Sequence, residues 1–231
     1  MLRAQLYDIL CRGIDFDIDI YRSHLLPNTA LLELGVGTGR SILPLIDQTH
    51  TCVGIDHDPD MIAFCTQHPR LQRLQLLQQD IATFSLPQRF NNIHIPLRTF
   101  QLLQPAQQKQ CIDTLCTHLE DTACIIIHIS LWKPDQHTGH WRFSQAYTTE
   151  DGGKMLIEES ALAHHKQLEL CYKIHQTGHN QLIQASYMIH RTLYCCTPDT
   201  LIHMLEKHGL QTSIITLDTH TSELFIVGQK R

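Results

Sequence analysis

Between residues 30 and 130 short apolar runs alternate with stretches in which apolar residues recur every three or four positions. A parallel sheet with crossover helices has this pattern. Strands are predicted at Ala30–Leu34, Cys52–Ile55, Leu74–Leu77, Asn91–Ile95 and Ala123–Ile129. Helices are predicted at Thr38–Asp47, Pro59–Gln67 and Ala106–Leu119, the last with Ile112, Leu115, Cys116 and Leu119 on one face. The run at 123–129 is apolar at nearly every position, as a central strand buried on both sides should be.

After residue 131 the period changes from 3.6 to 2. Arg142–Thr148, Met155–Ala163, Gln167–Gln176 and Gln181–Tyr194 alternate apolar and polar residues. The breaks are Glu150-Asp151-Gly152-Gly153 and Thr177-Gly178-His179-Asn180, so antiparallel strands are expected. Thr197 and Pro198 then open a helix to His208, stopped by Gly209, before strands at Thr212–Leu217 and Ser222–Val227. The expected fold is α/β, a Rossmann-like seven-stranded, mostly parallel sheet with helices on both faces plus an antiparallel β insertion. One domain is expected over 1–231, with a helical cap at 1–28, a core at 29–130 and 196–231, and the insertion at 131–195.

A chain of 231 residues suffices for one such domain, burying about 70 to 75% of its unfolded surface. No apolar run approaches the ~20 residues of a spanning helix, and the N-terminus carries no leader pattern. A cytoplasmic, non-membrane protein is the expectation. Nine scattered cysteines without a C-x-x-C unit read as reduced thiols, mostly buried. A net charge of -5 with no Lys/Arg cluster offers no footprint for nucleic acid. The 17 histidines are spread along the chain, densest at His164-His165, and no metal site is expected.

The chemistry concentrates in Leu31–Arg40, LLELGVGTGR, where a strand meets a glycine turn. Gly35, Gly37 and Gly39 can take positive φ and carry no Cβ, so a ligand can lie against the backbone. Dinucleotide sites use G-x-G-x-x-G, whereas this turn is G-x-G-x-G with Arg40 where the last glycine would fall. Glu33 precedes the turn; a carboxylate suits a cofactor with an ammonium and a sulfonium better than two phosphates. Asp56 ends the second strand, where it can accept from ribose hydroxyls, and Met61 can cover the adenine. Asp80, after the third strand, can accept from the adenine amine, with Ile81 against the ring. The three acidic residues thus fall at three successive strand ends, 23 and 24 residues apart.

With those residues placed, the chain resembles the class I S-adenosylmethionine-dependent methyltransferases over its whole length. ELGVGTGR, GIDHDPDM and QQDIATF correspond to their first three motifs. A bacterial small-molecule group within the class is similar in more detail, through Tyr7-Asp8, Pro96-Leu97-Arg98-Thr99-Phe100-Gln101-Leu102-Leu103, Trp132-Lys133-Pro134-Asp135 and Ser222-Glu223-Leu224-Phe225-Ile226-Val227. The resemblance implies S-adenosyl-L-methionine as cofactor, bound by Tyr7, Glu33, Gly35, Gly37, Gly39, Asp56, His57, Met61, Asp80, Ile81 and Pro96. It also implies Arg98 and Gln101 near the donor methyl. The chain departs from the group at Asn91, where Asp is usual, and at Leu102, where His is usual.

The expected activity is in-line methyl transfer to a small-molecule acceptor, driven by alignment and desolvation. Acceptor contacts are sought among Arg98, Gln101, Trp132, Trp141 and Arg142, with His137, His140, Tyr147, Tyr187 and Tyr194 as further candidates. No catalytic residue is singled out, and His94 reads as a core histidine. Two other readings are a cofactor-binding protein without transfer activity and an NAD(P)-dependent oxidoreductase. The insertion could also form a dimer contact.

Overall fold

A computed structural model describes residues 2–133, 137–149, 151–164, 166–217 and 220–230, with the side chains of 220 and 221 left out. Pro134 and Asp135 of the expected loop, Glu150 of the expected turn and His165 of the histidine pair lie outside the described residues. The chain divides into two compact units, residues 1–130 with 196–231, and residues 131–195.

The first unit opens with two helices, α1 (Leu2–Leu10) and α2 (Ile18–His24). Then come β1 (Ala30–Leu34), β2 (Thr51–Asp56), α3 (Pro59–Cys65), β3 (Leu74–Gln78), β4 (Phe90–Ile95), α4 (Pro105–Thr117) and β5 (Leu119–Ser130). Local chemistry sets the helix starts. In α3, Pro59 occupies the first turn, where its missing N–H costs nothing, and the Asp58 carboxylate accepts from Asp60 N at 2.9 Å. In α4, Gln104 and Gln107 close a capping box ahead of Pro105.

The second unit is an antiparallel meander of β6 (Arg142–Thr148), β7 (Lys154–His164), β8 (Gln167–Thr177) and β9 (Ile183–Tyr194). Ile157 pairs with Ile174, and both are fully buried on one face with Met155, Leu168, Ile189 and Leu193. Back in the first unit the chain ends with α5 (Pro198–Glu206), β10 (Gln211–Leu217) and β11 (His220–Lys230).

The main sheet runs β10-β11-β5-β4-β1-β2-β3, with β3, β2, β1, β4 and β5 parallel and β11 antiparallel between β5 and β10. Alternating strand residues feed two cores. Leu32, Leu34, Ile93 and Ile125 pack with Ile112, Leu115, Leu201 and Leu205 from α4 and α5. Leu31, Cys52, Cys124 and Ile126 pack on the other face with Tyr21, Leu45 and Cys65. Helices therefore cover both faces, as predicted, and the central strands are apolar on both.

The helix predicted at Thr38–Asp47 does not form. Residues 38–42 are turns, followed by a 3-10 helix over Leu43–Gln48. Pro44 sits in its first turn and lacks the N–H that an α-helix through this position would donate to Arg40, so the chain tightens to i→i−3 bonds such as Leu45 N to Ile42 O at 3.0 Å. Leu119, predicted to close a helix, instead begins β5 beside Phe90. Other boundaries differ by a few residues at frayed ends.

Candidate functional site

The chain leaves β1 for β2 and β3 on one side and returns to β4 on the other, so the order reverses at β1. Ligands in such sheets bind at the carboxyl edge of this switch point. Gly35, Gly37 and Gly39 all have positive φ, 76°, 52° and 89°. A Cβ on Gly35 would stand 2.2 Å from Thr99 Cγ2, and one on Gly39 would stand 2.7 Å from Leu43 Cδ1. The turn is bare because neighbours press against it. At Gly37 the nearest atom is Tyr7 Cε1, 3.5 Å from an ideal Cβ, so the expected N-terminal tyrosine does lie beside the turn.

Asp56 clamps the turn to the neighbouring strand. Its Oδ2 accepts from Gly37 N and its Oδ1 from Asp58 N, both at 2.9 Å. Each oxygen keeps a second lone pair for a ligand hydroxyl. His57 is 78% exposed, with Nδ1 3.5 Å from Asp56 Oδ1. Met61 is buried on α3. Asp80 is exposed and accepts from Ala82 N at 2.8 Å, whereas Ile81 is buried in the α4-side core and is less available to a ring than expected. Pro96 is buried, and its carbonyl accepts from Thr99 N at 3.0 Å.

Glu33 is 0% exposed, and neither carboxylate oxygen has a hydrogen-bond partner. Burial pushes it up to about 8; Ser41 beside it and the Arg40 charge favour ionisation without offsetting this, and Ser41 makes no bond of ordinary geometry with it. Glu33 pairs in register with His94 of β4, so both side chains share a sheet face. His94 is buried, held down to about 3 by desolvation and the His24 charge, and stacked on Tyr21 at 4.8 Å. The Tyr21 hydroxyl and His94 Nδ1 are likewise without partners. Arg40 is spent structurally. It makes a bidentate pair with buried Asp17 at 2.7 and 2.6 Å and donates to Ile14 O at 2.9 Å, tying the segment before α2 to the glycine turn.

The segment after β4 is unusual. Leu97 and Arg98 have φ of 45° and 64°, a left-handed pair without glycine, of the sort that persists where the surroundings enforce it. A four-residue 3-10 helix, Thr99–Leu102, follows. Gln101, expected at the substrate entrance, is fully buried. Its Nε2 donates to Ser130 O at 2.9 Å and its Oε1 accepts from Ser130 N at 2.7 Å, so the amide extends β5 like one more strand residue. Leu102 is partly exposed at the helix end, and Asn91 bonds Thr122 O at 3.0 Å at the start of β4, on the edge away from the glycine turn.

At the end of β5 lies a cluster absent from the sequence-based candidates. Glu223 of β11 pairs with Ser130, and its Oε2 accepts from His128 Nε2 at 2.7 Å and from the Ser130 hydroxyl. His128 is fully buried, stacked on Phe225 at 4.5 Å with Phe16 edge-on. Desolvation raises the Glu223 carboxyl, but the His128 bond, the Arg98 charge and Ser130 outweigh it and hold it down to about 2. Its signal was legible, since a histidine and a serine interrupt the apolar run of β5. Trp132, Trp141 and Arg142 belong to the second unit. Trp132 is half-buried, Lys173 Nζ sits 3.8 Å over the Trp141 ring, and Arg142 pairs with Glu159 at 2.8 Å.

The strand order and the helices on both faces match the fold of solved methyltransferases. Residues 31–122 match the family model described as a methyltransferase domain. A curated relative, the ribosomal RNA small subunit methyltransferase A of Baumannia cicadellinicola subsp. Homalodisca coagulata, is 32% identical over 78 residues. That stretch is 33% of this chain and spans 29% of the relative's length. The S-adenosylmethionine-bound amino pentose methyltransferase CalS10 of Micromonospora echinaspora is similar in fold, with a TM-score of 0.80 and 15% identity, covering 98% of this chain and 97% of that one. The sugar N-methyltransferase KedS8 of a Streptoalloteichus species gives 0.79 and 16%, covering 97% and 92%. No helix among the described residues is long and apolar enough to cross a membrane.

Proposed function

We propose that this chain is an S-adenosylmethionine-dependent methyltransferase whose acceptor is an amine on a small, hydroxylated molecule. The observation that carries the cofactor reading is the Asp56 clamp on Gly37, which fixes a left-handed glycine turn beside an acidic strand end at the switch point of the sheet. The bound cofactor supplies an electrophilic methyl group on a sulfonium. The residues that would hold it are the glycine turn, Tyr7, Asp56, Met61 and Asp80, and the orphaned, protonated Glu33 carboxyl beneath the turn is a further polar group whose ionisation a cationic cofactor would favour. Transfer requires a nucleophile aligned opposite the sulfonium and little water.

Two considerations favour nitrogen. A neutral amine needs no base at the transfer step, whereas a hydroxyl does. Glu223, held to about 2, is far too weak a base for a hydroxyl. CalS10 and KedS8, with their amino pentose and sugar N-methyl activities, support the same acceptor chemistry. Calorimetry with S-adenosylhomocysteine tests the reading. Asp56→Ala is expected to weaken binding at least tenfold, and undiminished affinity in that variant would refute the assigned site.

A further inference from the structure

The donor cradle and the Glu223 cluster are linked by one short element. Thr99, the first residue of the 3-10 helix, presses on Gly35, while Gln101, two residues on, clamps the backbone of Ser130. In the sheet order β11-β5-β4-β1, at about 4.8 Å per strand, the strand end that carries Glu223 lies roughly 14 Å from the turn that faces the cofactor, with the 3-10 helix bridging the interval. A methyl acceptor occupies that kind of interval.

Within the cluster the bonds are asymmetric. Glu223 Oε2 receives both His128 and Ser130, and Oε1 makes no hydrogen bond with a described residue, while the side chain remains 16% exposed. The His128 ring is fixed by Phe225 and Phe16, and Ser130 by the Gln101 amide, so the carboxylate is held rigidly through Oε2, with Oε1 unbonded among the described residues. The Arg98 charge favours the ionised Glu223 carboxylate. A rigid carboxylate with a free oxygen beside a donor cradle serves to bind a hydrogen-bond donor.

We propose that Glu223 is the specificity-determining residue of the acceptor site. Its Oε1 accepts from a hydroxyl or ammonium group of the acceptor next to the atom that is methylated, and His128, Ser130 and Gln101 are positioning residues. Its role is anchoring; no proton moves to it during transfer. The inference rests on the methyltransferase reading.

The test measures S-adenosylhomocysteine release with 2-, 3- and 4-amino-deoxyglucose, comparing wild type with Glu223→Gln and Glu223→Ala. At least one amino sugar is expected to turn over. KM should rise about tenfold in Glu223→Gln and more in Glu223→Ala, with kcat within twofold and the pH dependence of kcat unmoved. A pH profile displaced with KM unchanged would assign Glu223 as a base and overturn the anchoring role. Unchanged KM in both variants, or no amino sugar turned over by protein that binds S-adenosylhomocysteine, would overturn it too. Calorimetric binding of S-adenosylhomocysteine by each variant separates a folding defect from a lost anchor. Failure of the wild type to bind it would instead sink the methyltransferase reading itself.

Discussion

Replacing Glu33 by Gln is expected to stabilise the protein at alkaline pH. The carboxyl moves from 4.5 in the unfolded chain to about 8 in the fold, so the native state binds the extra proton over that interval. A raised carboxyl contributes its full stability below 4.5 and loses it as pH rises to 8, at about 1.4 kcal/mol per pH unit. His94 runs the other way. Its value falls from 6.5 to about 3, so its contribution is present above 6.5 and lost as pH falls. Between 4.5 and 6.5 the two slopes cancel, and between 6.5 and 8 Glu33 acts alone. Glu223 operates below that window, and the buried thiols and Tyr21, with ordinary values of 9.0 and 10.0, operate above it. Wild type should therefore lose about 2 kcal/mol from pH 6.5 to 8, and Glu33→Gln should not. Urea titrations at half-unit pH intervals, with m held common, measure both curves. Wild-type stability equal at pH 6.5 and 8, or a variant curve falling in parallel, would refute the assignment of a protonated Glu33.

Gly39→Ala combines a φ of 89° with a Cβ 2.7 Å from Leu43 Cδ1 and 2.8 Å from Cys65 Sγ. It should cost about 1 to 3 kcal/mol in a urea titration, and an unmoved midpoint would show that the turn relaxes freely. Asp17→Ala strands the Arg40 guanidinium in a largely buried setting. A loss of about 3 to 5 kcal/mol is expected on chemical denaturation, and a loss under 1 kcal/mol would mean that water replaces the carboxylate.

The proposed cofactor half of the site is legible in the sequence because its determinants are local. Glycines at 35, 37 and 39 and acids at 33, 56 and 80 sit at strand ends that periodicity alone locates. What escaped were roles set by partners distant in sequence. Arg40 could be placed after the turn, but its pairing with Asp17, 23 residues earlier, follows only from how the segment before α2 packs. Gln101 was placed near the donor, yet nothing in PLRTFQLL says that its amide turns inward to Ser130, 29 residues on. His128 and Glu223 are 95 residues apart and meet only because β11 enters the sheet antiparallel to β5. Pro44 is visible in the sequence and argues against the helix at 38–47, because its missing N–H breaks the ladder that the apolar pattern suggests.

The entry of β11 beside β5 also bears on how the molecule is assembled in time. Leu31 pairs with Cys52, 21 residues on, and with Asn92, 61 residues on, while joining Ser130 to Glu223 closes a 93-residue span. Ordering of the donor cradle does not wait for that closure. Glu223 is also synthesised long after Gly39 and Asp80, so a nascent chain holds the residues of the proposed cofactor site before those of the proposed acceptor site.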